Sequence, residues 1–133
     1  MSANILFLCP HNAAKSVIAA AYFNRLAQQI GLQLTADSAG TEPSETVSPN
    51  VVAMLGNEGI DVSHHQPRCV NAHELEAARR VISIGCTPEE LGIGAERIEQ
   101  WNDVPMVSKD PNGSRDAIRA HVERLIAELR AEP

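Results

Sequence analysis

The sequence is poor in aromatic residues, in basic stretches and in long apolar runs. Aromatic side chains account for 3% of its 133 residues, and the net charge is −6. Without a basic run, a nucleic-acid partner is not expected. No apolar stretch approaches the ~20 residues that a membrane-spanning helix needs, and no signal-peptide pattern is present. We therefore expect neither a nucleic-acid nor a membrane partner.

Cysteine is also scarce, and its number is odd. The chain has three cysteines, Cys9, Cys69 and Cys86. Without a secretory signal, an odd number of cysteines indicates a reducing cytoplasm with free or redox-active thiols. Repeats, low-complexity tracts and interdomain linkers are missing as well. Together with 44% hydrophobic and 21% charged residues, this predicts a single globular domain over 1–133 with a substantial core.

The stretch 4–21 organises the chain. Ile5 to Leu8 is a short, unbroken apolar run, typical of a strand that is buried on both faces. Cys9 follows directly, and residues 10–15 have little helix or strand character. Ser16 precedes a helical pattern and is a natural N-cap. The expected order is therefore strand, tight loop with a cysteine, and helix N-terminus.

Such a loop is suited to binding an anion. A helix N-terminus directs backbone N–H groups and a positive partial charge into it. The same field stabilises a thiolate, which makes Cys9 a candidate nucleophile for attack on an oxyanion. The alternative is that Cys9 is a small buried hydrophobic residue, as many cysteines are.

The segment Cys9-Pro-His-Asn-Ala-Ala-Lys15-Ser16 resembles the phosphate loop of the low-molecular-weight protein tyrosine phosphatases and of the thiol-dependent arsenate reductases that share their fold. That loop reads Cys, five residues, Arg, then Ser or Thr. The resemblance implies that Cys9 is the nucleophile, that Asn12 holds the loop in shape and that Ser16 hydrogen-bonds the sulfur. It also implies an anion-binding loop of Pro10, His11, Asn12, Ala13, Ala14, Lys15 and Ser16. The trio His-Asn-Ala at 11–13 favours the arsenate reductases.

Lys15 departs from this pattern, because the family has Arg there. Arginine holds an oxyanion with two parallel N–H bonds in a fixed plane, whereas lysine offers one mobile point charge. The charge is kept, but bidentate alignment of the transition state is lost.

Two further cysteines need an assignment. Ile84-Gly85-Cys86 follows a predicted strand, and the resemblance implies that Cys86 resolves an enzyme–arsenic adduct; a structural cysteine is the alternative. Because the carboxyl ends of parallel strands share one crevice, Cys9 and Cys86 are expected on the same rim, where a disulfide requires Cα atoms under ~7 Å apart. Cys69 is interpreted as a buried structural residue.

The general acid of the family is an aspartate in the loop before the last helix. Asp110-Pro111 matches the family dipeptide, whereas Asp103 lies nearer the expected distance from Trp101. The spacing does not decide between them, and a loop aspartate is by default a turn or cap residue.

Other polar motifs receive structural interpretations. The segment 37–41 is typical of a tight turn that supports the phosphate loop, as Ser-Ala-Gly-Thr does in the family. His64 and His65 are adjacent, so they point apart, and no metal site is expected there. Arg79 and Arg80 are interpreted as the solvated end of a strand.

Strands near 5–8, 32–36, 81–84 and 97–100 alternate with helices that begin after Ser16, Ser48, Thr87 and Ser114. This alternation predicts an α/β fold with a parallel sheet and helices on both faces. The resemblance implies a three-layer sandwich with a four-stranded sheet of order 2-1-3-4, as in phosphotyrosine phosphatase I.

The function implied is cysteine-dependent oxyanion chemistry, foremost reduction of arsenate to arsenite. No bound cofactor is expected, and thioredoxin, glutathione or mycothiol is the candidate thiol reductant. The alternatives are a phosphatase for phosphotyrosine or small phosphomonoesters, and an oxyanion-binding module in which Lys15 marks weakened catalysis.

Overall fold

A computed structural model describes residues 4–132. Its centre is a four-stranded parallel sheet of β1 (Ile5–Leu8), β2 (Ala36–Ala39), β3 (Arg80–Ser83) and β4 (Ile98–Gln100). The strand order is β2-β1-β3-β4, which confirms the expected 2-1-3-4 topology. In this register, Leu8 lies beside Ala39 of β2 and Ser83 of β3. The carboxyl ends of the three strands therefore meet at one edge.

The central strand β1 divides the core into two layers because successive side chains of a strand point to opposite faces. Ile5 and Phe7 belong to the apolar cluster on one face, and Leu6 and Leu8 to the cluster on the other. All four residues are buried. This explains why the run is apolar without alternation.

Within residues 4–132, five α-helices cover the two faces: α1 (Lys15–Gln29), α2 (Pro49–Gly56), α3 (Ala72–Ala77), α4 (Pro88–Leu91) and α5 (Pro111–Ala131). Helices α1, α2 and α5 bury their apolar faces in the cluster around Phe7, and α5 contributes Ile118, Val122 and Leu129. Leu75 of α3 and Leu91 of α4 join the cluster around Leu6. The predicted capping box at α4 is confirmed, since Thr87 Oγ1 accepts the backbone N–H of Glu90 at 3.2 Å.

The predicted position of β2 was wrong. The strand begins at Ala36 rather than Leu32, so 37–39 is strand and not a turn. The side chain of Asn24 pairs with Ala36 at the open edge, donating to its carbonyl at 3.0 Å and accepting its N–H at 2.8 Å. Leu32 and Leu34 instead pack against the core from the connecting segment.

Two helix starts also differ from the predictions. Helix α1 begins at Lys15, and Ser16 lies within its first turn without capping it. Helix α5 begins at Pro111, because the Asp110 side chain accepts the N–H of Gly113 at 3.0 Å and acts as the N-cap. Ser114, expected to be the cap, is buried in that helix. At α5 a neighbouring side chain takes the role that the local sequence assigned to serine, whereas at α1 no side chain caps the helix.

Arg80 is not a solvated strand end. Its guanidinium pairs with Glu99 at 2.5 Å, with Glu128 at 2.9 Å and with Glu132 at 3.5 Å, which ties β3 to β4 and to the end of α5. These groups raise the pKa of Arg80, chiefly through the hydrogen bond to Glu99. Within 4–132, no helix combines the length and hydropathy needed to cross a bilayer.

Candidate active site

The loop 9–15 connects the end of β1 to the N-terminus of α1, and its carbonyl groups are turned outward. The carbonyls of Pro10, His11 and Ala13 accept N–H groups of the 42–48 segment: from Glu42 at 2.7 Å, Ser44 at 3.0 Å and Ser48 at 2.9 Å. The N–H groups of residues 11–15 find no acceptor within the described chain 4–132. They are therefore available to an oxyanion. Pro10 belongs to the loop but has no N–H to contribute.

Cys9 lies at the base of this loop, and the residue is 5% exposed. Its Sγ is 3.0 Å from Oγ of Ser16, and the backbone N–H of Ser16 donates to it at 3.4 Å. Both contacts stabilise negative charge on sulfur. The arrangement brings together the two residues that the resemblance paired, nucleophile and hydroxyl.

Asn12 holds the loop from within. It is fully buried and has a φ of 48°, a left-handed conformation that asparagine tolerates better than most residues. Its Nδ2 donates to Ser16 Oγ at 2.9 Å. That bond occupies one lone pair of the hydroxyl oxygen and leaves the hydroxyl proton available to a Cys9 thiolate.

His65 is a part of the site that the sequence interpretation missed. Its Nε2 donates to Asn12 Oδ1 at 3.0 Å and lies 3.5 Å from Ser38 Oγ. The backbone N–H of Arg68 donates to the same Asn12 oxygen at 3.1 Å. Burial lowers the pKa of His65, while Asp37 opposes this shift and Arg68 adds to it. Adjacent histidines gave no sequence signal for this contact, because it joins residues 53 positions apart.

Gly40 fits closely against the loop. A Cβ at this position would lie 2.5 Å from the carbonyl oxygen of Pro10 and 2.6 Å from that of Cys9. Only glycine allows this approach without displacement of the loop. The supporting role predicted for 37–41 is thus explained by strand packing rather than by a turn.

Lys15 lines a cavity of about 450 Å³ over Cys9. No ion pair with a carboxylate engages Lys15 within residues 4–132. Beyond the loop, Ile84, Met106 and Val107 form an apolar wall, and Ser44, Ser48 and Asn50 form a polar wall. Aspartate, glutamate and aromatic residues do not line it in the described part of the chain.

Both candidate aspartates lie outside the lining of this cavity. Asp110 caps α5 as described above. Asp103 accepts from His121 Nε2 at 2.7 Å with its side chain 72% exposed; this bond lowers the pKa of Asp103. The His121 ring stacks on Trp101, with 4.6 Å between centroids. Ser108 does line the cavity, two residues before Asp110.

The three cysteines differ in burial and surroundings. Cys86 is 1% exposed and belongs to the apolar cluster around Leu6, whereas Cys9 belongs to the cluster around Phe7. Burial is the main cause that raises the pKa of Cys86, and the nearby charge of Cys9 adds to the rise. Cys69 is exposed, so its assignment as a buried residue was wrong. It pairs with Gly40 in an isolated bridge at the sheet edge, where its side chain meets solvent.

His64 and His65 do not contribute to a metal cluster. His64 lies 3.7 Å from Asp61 with its side chain 91% exposed, while His65 is committed to Asn12. Over the residues with described positions, no group of three or more His, Cys, Asp or Glu side chains could hold a metal ion.

Two comparisons with known sequences each found similar proteins. A family model described as low molecular weight phosphotyrosine protein phosphatase matches residues 4–89. A protein of Halobacterium salinarum named "Putative arsenate reductase" is 30% identical over 129 residues, covering 92% of this chain and 87% of that protein.

Two solved structures illustrate the likeness of fold. A mutant of YwlE from Bacillus subtilis superposes with a TM-score of 0.85 at 21% identity, covering 97% of this chain and 99% of the other. A thioredoxin-dependent arsenate reductase of Corynebacterium glutamicum gives 0.74 at 24% identity, covering 97% of this chain and 62% of the other. Because both identities lie below 25%, these two likenesses show a shared fold and nothing more.

Proposed function

From the premise that this chain belongs to the low molecular weight phosphotyrosine protein phosphatase family, we propose that it is an enzyme that reduces arsenate to arsenite at Cys9. The observation that carries the proposal is the Cys9 sulfur, 3.0 Å from the Ser16 hydroxyl, at the base of a loop whose N–H groups find no acceptor within residues 4–132. A stabilised thiolate within an anion site is suited to attack on an oxyanion.

The first step is in-line attack. Backbone N–H groups of 11–15 and the Lys15 ammonium hold three oxygens of arsenate. The Cys9 thiolate forms an S–As bond, and the As–O bond on the far side breaks. The departing hydroxide takes a proton and leaves as water. Asp110 is the preferred donor of that proton, as the matching Asp-Pro dipeptide suggests, and Asp103 is the alternative.

The second step needs a thiol. Attack by a thiol on the adduct leads to arsenite and an oxidised pair of sulfurs, so two electrons pass from two thiols to arsenic. We place this reaction in the reducing cytoplasm, where the three cysteines remain thiols. The C. glutamicum neighbour is thioredoxin-dependent by name, which supports a thiol reductant as a class.

The cavity lining favours an inorganic oxyanion over phosphotyrosine. Aromatic side chains would normally line a pocket for a phenyl ring, and none lines this cavity within residues 4–132. The curated relative at 30% identity is likewise named for arsenate reduction.

A phosphomonoesterase is the second candidate. The apolar wall of Ile84, Met106 and Val107 could receive an organic leaving group, and water would then hydrolyse the phosphocysteine. A third candidate, an oxyanion-binding module, follows if Lys15 cannot align the transition state as arginine does.

The test is arsenite production from arsenate by the purified protein with an added thiol, compared with hydrolysis of para-nitrophenyl phosphate. Arsenite formation that exceeds the Cys9→Ser background supports the proposal. Phosphate release alone would replace it with the phosphatase. Arsenate binding without either product, together with a large gain in turnover in Lys15→Arg, would favour the binding module.

A further inference from the structure

We infer that two copies of this chain associate through the carboxyl-terminal ends of α1 and α5, about a two-fold axis at the midpoint between Ile126 and Ala127. This face is named the α1–α5 patch. It surrounds a shallow groove of about 170 Å³ lined by Leu26, Ile30, Glu123, Ile126, Ala127 and Arg130. The inference concerns a part of the molecule outside the Cys9 cavity and does not depend on the chemistry proposed there.

The centre of the α1–α5 patch is apolar and exposed. Among residues 4–132, the large hydrophobic residues with high exposure are Ile30 and Met106, at 44% and 54%. Met106 belongs to the wall of the Cys9 cavity, whereas Ile30 lines the groove together with Leu26 and Ala127. The exposed surface of Ile30 is thus continuous with that of its apolar neighbours. An apolar area bordered by charged residues is typical of a surface that contacts another protein.

The two charged residues of the patch differ from the other charged residues of α5. This helix carries seven charged side chains, of which five have a partner: Arg115 with Asp116, Arg119 with Glu58, Arg124 with His121 and Glu128 with Arg80. Glu123 and Arg130 take part in no ion pair within residues 4–132. They cannot pair with each other, because seven residues of helix separate them by about 10 Å.

Two-fold symmetry supplies a partner for both charges. Glu123 and Arg130 lie on one face of α5, since seven residues are close to two helical turns. Ile126 and Ala127 lie halfway between them. When a second α5 packs antiparallel about an axis at that midpoint, Glu123 of each copy faces Arg130 of the other. Each contact of such an isologous interface occurs twice, so two ion pairs form and the register of the two helices is fixed.

The middle of the patch allows close approach of the two helices. Ala127 is exposed and has a small side chain, and the distance between packed helices depends on the side chains at the crossing point. With alanine there, Ile30 of each copy lies against the other copy and is removed from water, which favours association. The patch then has an apolar centre and a charged rim, as protein interfaces generally have.

The size of the patch predicts a weak dimer. Stable interfaces use about 20–30 residues a side, whereas six residues line this groove. We therefore expect a Kd between about 1 µM and about 1 mM.

The position of the patch leaves the Cys9 cavity open in the dimer. Helix α1 starts at the Cys9 loop, and its 15 residues carry Ile30 about 20 Å away along the helix axis. The second copy therefore does not cover the cavity. We expect phosphate to leave the Kd of the dimer unchanged.

The experiment is sedimentation equilibrium of the full chain from about 10 µM to about 1 mM protein, the range of weak complexes. We expect the mass to rise from that of one chain towards that of two. Glu123→Arg places like charges in both pairings, and so does Arg130→Glu, so each variant should associate at least about tenfold more weakly. An equimolar mixture of the two variants restores opposite charges in both pairings. That mixture should associate as the wild type does, and so should the double variant.

Matched variants control for net charge and for apolar exposure. Glu76→Arg makes the same change of charge at an exposed residue of α3 and should not weaken association. Ile30→Ser should weaken it at least about threefold, because less apolar area is removed from water. Met106→Ser removes the other exposed large hydrophobic residue and should leave association unchanged.

Two results would overturn the inference. The mass of a single chain at about 1 mM protein would exclude a second copy as the occupant of the patch and leave the face to a partner of another kind. Association that both single variants retain, or that their mixture does not restore, would place the interface elsewhere on the molecule. Neither result bears on the Cys9 chemistry, which arsenite production tests separately.

Discussion

The imidazole of His65 donates a hydrogen bond to the buried side-chain oxygen of Asn12 at 3.0 Å, across 53 positions of the sequence. Through Asn12 Nδ2 and the Ser16 hydroxyl, this contact continues to the Cys9 sulfur. Solvent does not reach the two central members of this chain of polar groups, because Asn12 and Ser16 are both fully buried. Buried polar networks of this kind are costly when one member is removed, which makes each member testable.

His65 should contribute to the pH dependence of stability. Burial lowers its pKa below the ordinary value of 6.5, so as pH falls the unfolded chain binds a proton first. The contribution is present above pH 6.5 and is lost as pH falls from there towards the folded pKa. We expect urea unfolding to show a smaller stability loss between pH 7.5 and 5 in His65→Gln than in the wild type. His64→Gln, whose side chain is exposed, should retain the wild-type dependence; an identical slope in both variants would contradict the prediction.

Cys9→Ser should abolish turnover, with a loss of about a thousandfold or more, because removal of a covalent nucleophile leaves only binding and electrostatic effects. The measurement is arsenite formation under saturating arsenate and thiol. Cys69→Ser serves as the control, since Cys69 is exposed and outside the cavity, and should stay within twofold of wild type. Comparable activity in Cys9→Ser would exclude the proposed chemistry.

Lys15→Met should reduce kcat/KM for the oxyanion by about a hundredfold or more, because a cation in a partly closed site stabilises developing charge strongly. Lys109→Met removes an exposed lysine outside the cavity and should have little effect. A similar small effect in both variants would mean that backbone N–H groups alone hold the oxyanion. The inhibition constants of phosphate, measured for both variants, report the contribution of Lys15 to anion binding separately from its effect on kcat.

Gly40→Ala should destabilise the protein by about 1–3 kcal/mol, the usual range for overpacking, and reduce turnover at least tenfold. The new methyl group would meet the carbonyls of Cys9 and Pro10, so the loop has to move. Gly56→Ala, at the end of α2, meets nothing within 4 Å and should be neutral or stabilising by up to about 1 kcal/mol. Thermal unfolding and activity of the pair provide the comparison, and equal effects would argue against loop displacement.

Asp110→Asn separates two roles of this residue. Asparagine caps a helix about as well as aspartate, so the stability should be preserved, whereas a general acid would be lost. We expect at least a tenfold decrease in kcat, the lower part of the range for acid catalysis, most clearly with a phosphomonoester whose leaving group is a poor one. Asp103→Asn is the companion variant. A decrease in that variant alone would transfer the role to Asp103.

Much of the site was predictable because its signal is local. The strand 5–8, the loop after it and the helix that follows are contiguous, so spacing alone indicates a thiol at a helix N-terminus. The capping box at Thr87 and the apolar stripe of the last helix are local for the same reason. The order of the strands came from the family resemblance, since alternation of strands and helices by itself leaves it open.

The sequence by itself determined the Cys9 loop, its lysine and the parallel α/β architecture, because these depend on neighbouring residues and on hydrophobic period. Only the tertiary structure decided which apolar cluster each buried cysteine joins, where β2 begins and which distant residue holds Asn12. Those features depend on strand register and on contacts between remote segments, and a shift of one residue moves a side chain to the opposite face. The assignment of Cys86 and Cys9 to different apolar clusters is of this kind, and so is the contact of His65 with the loop.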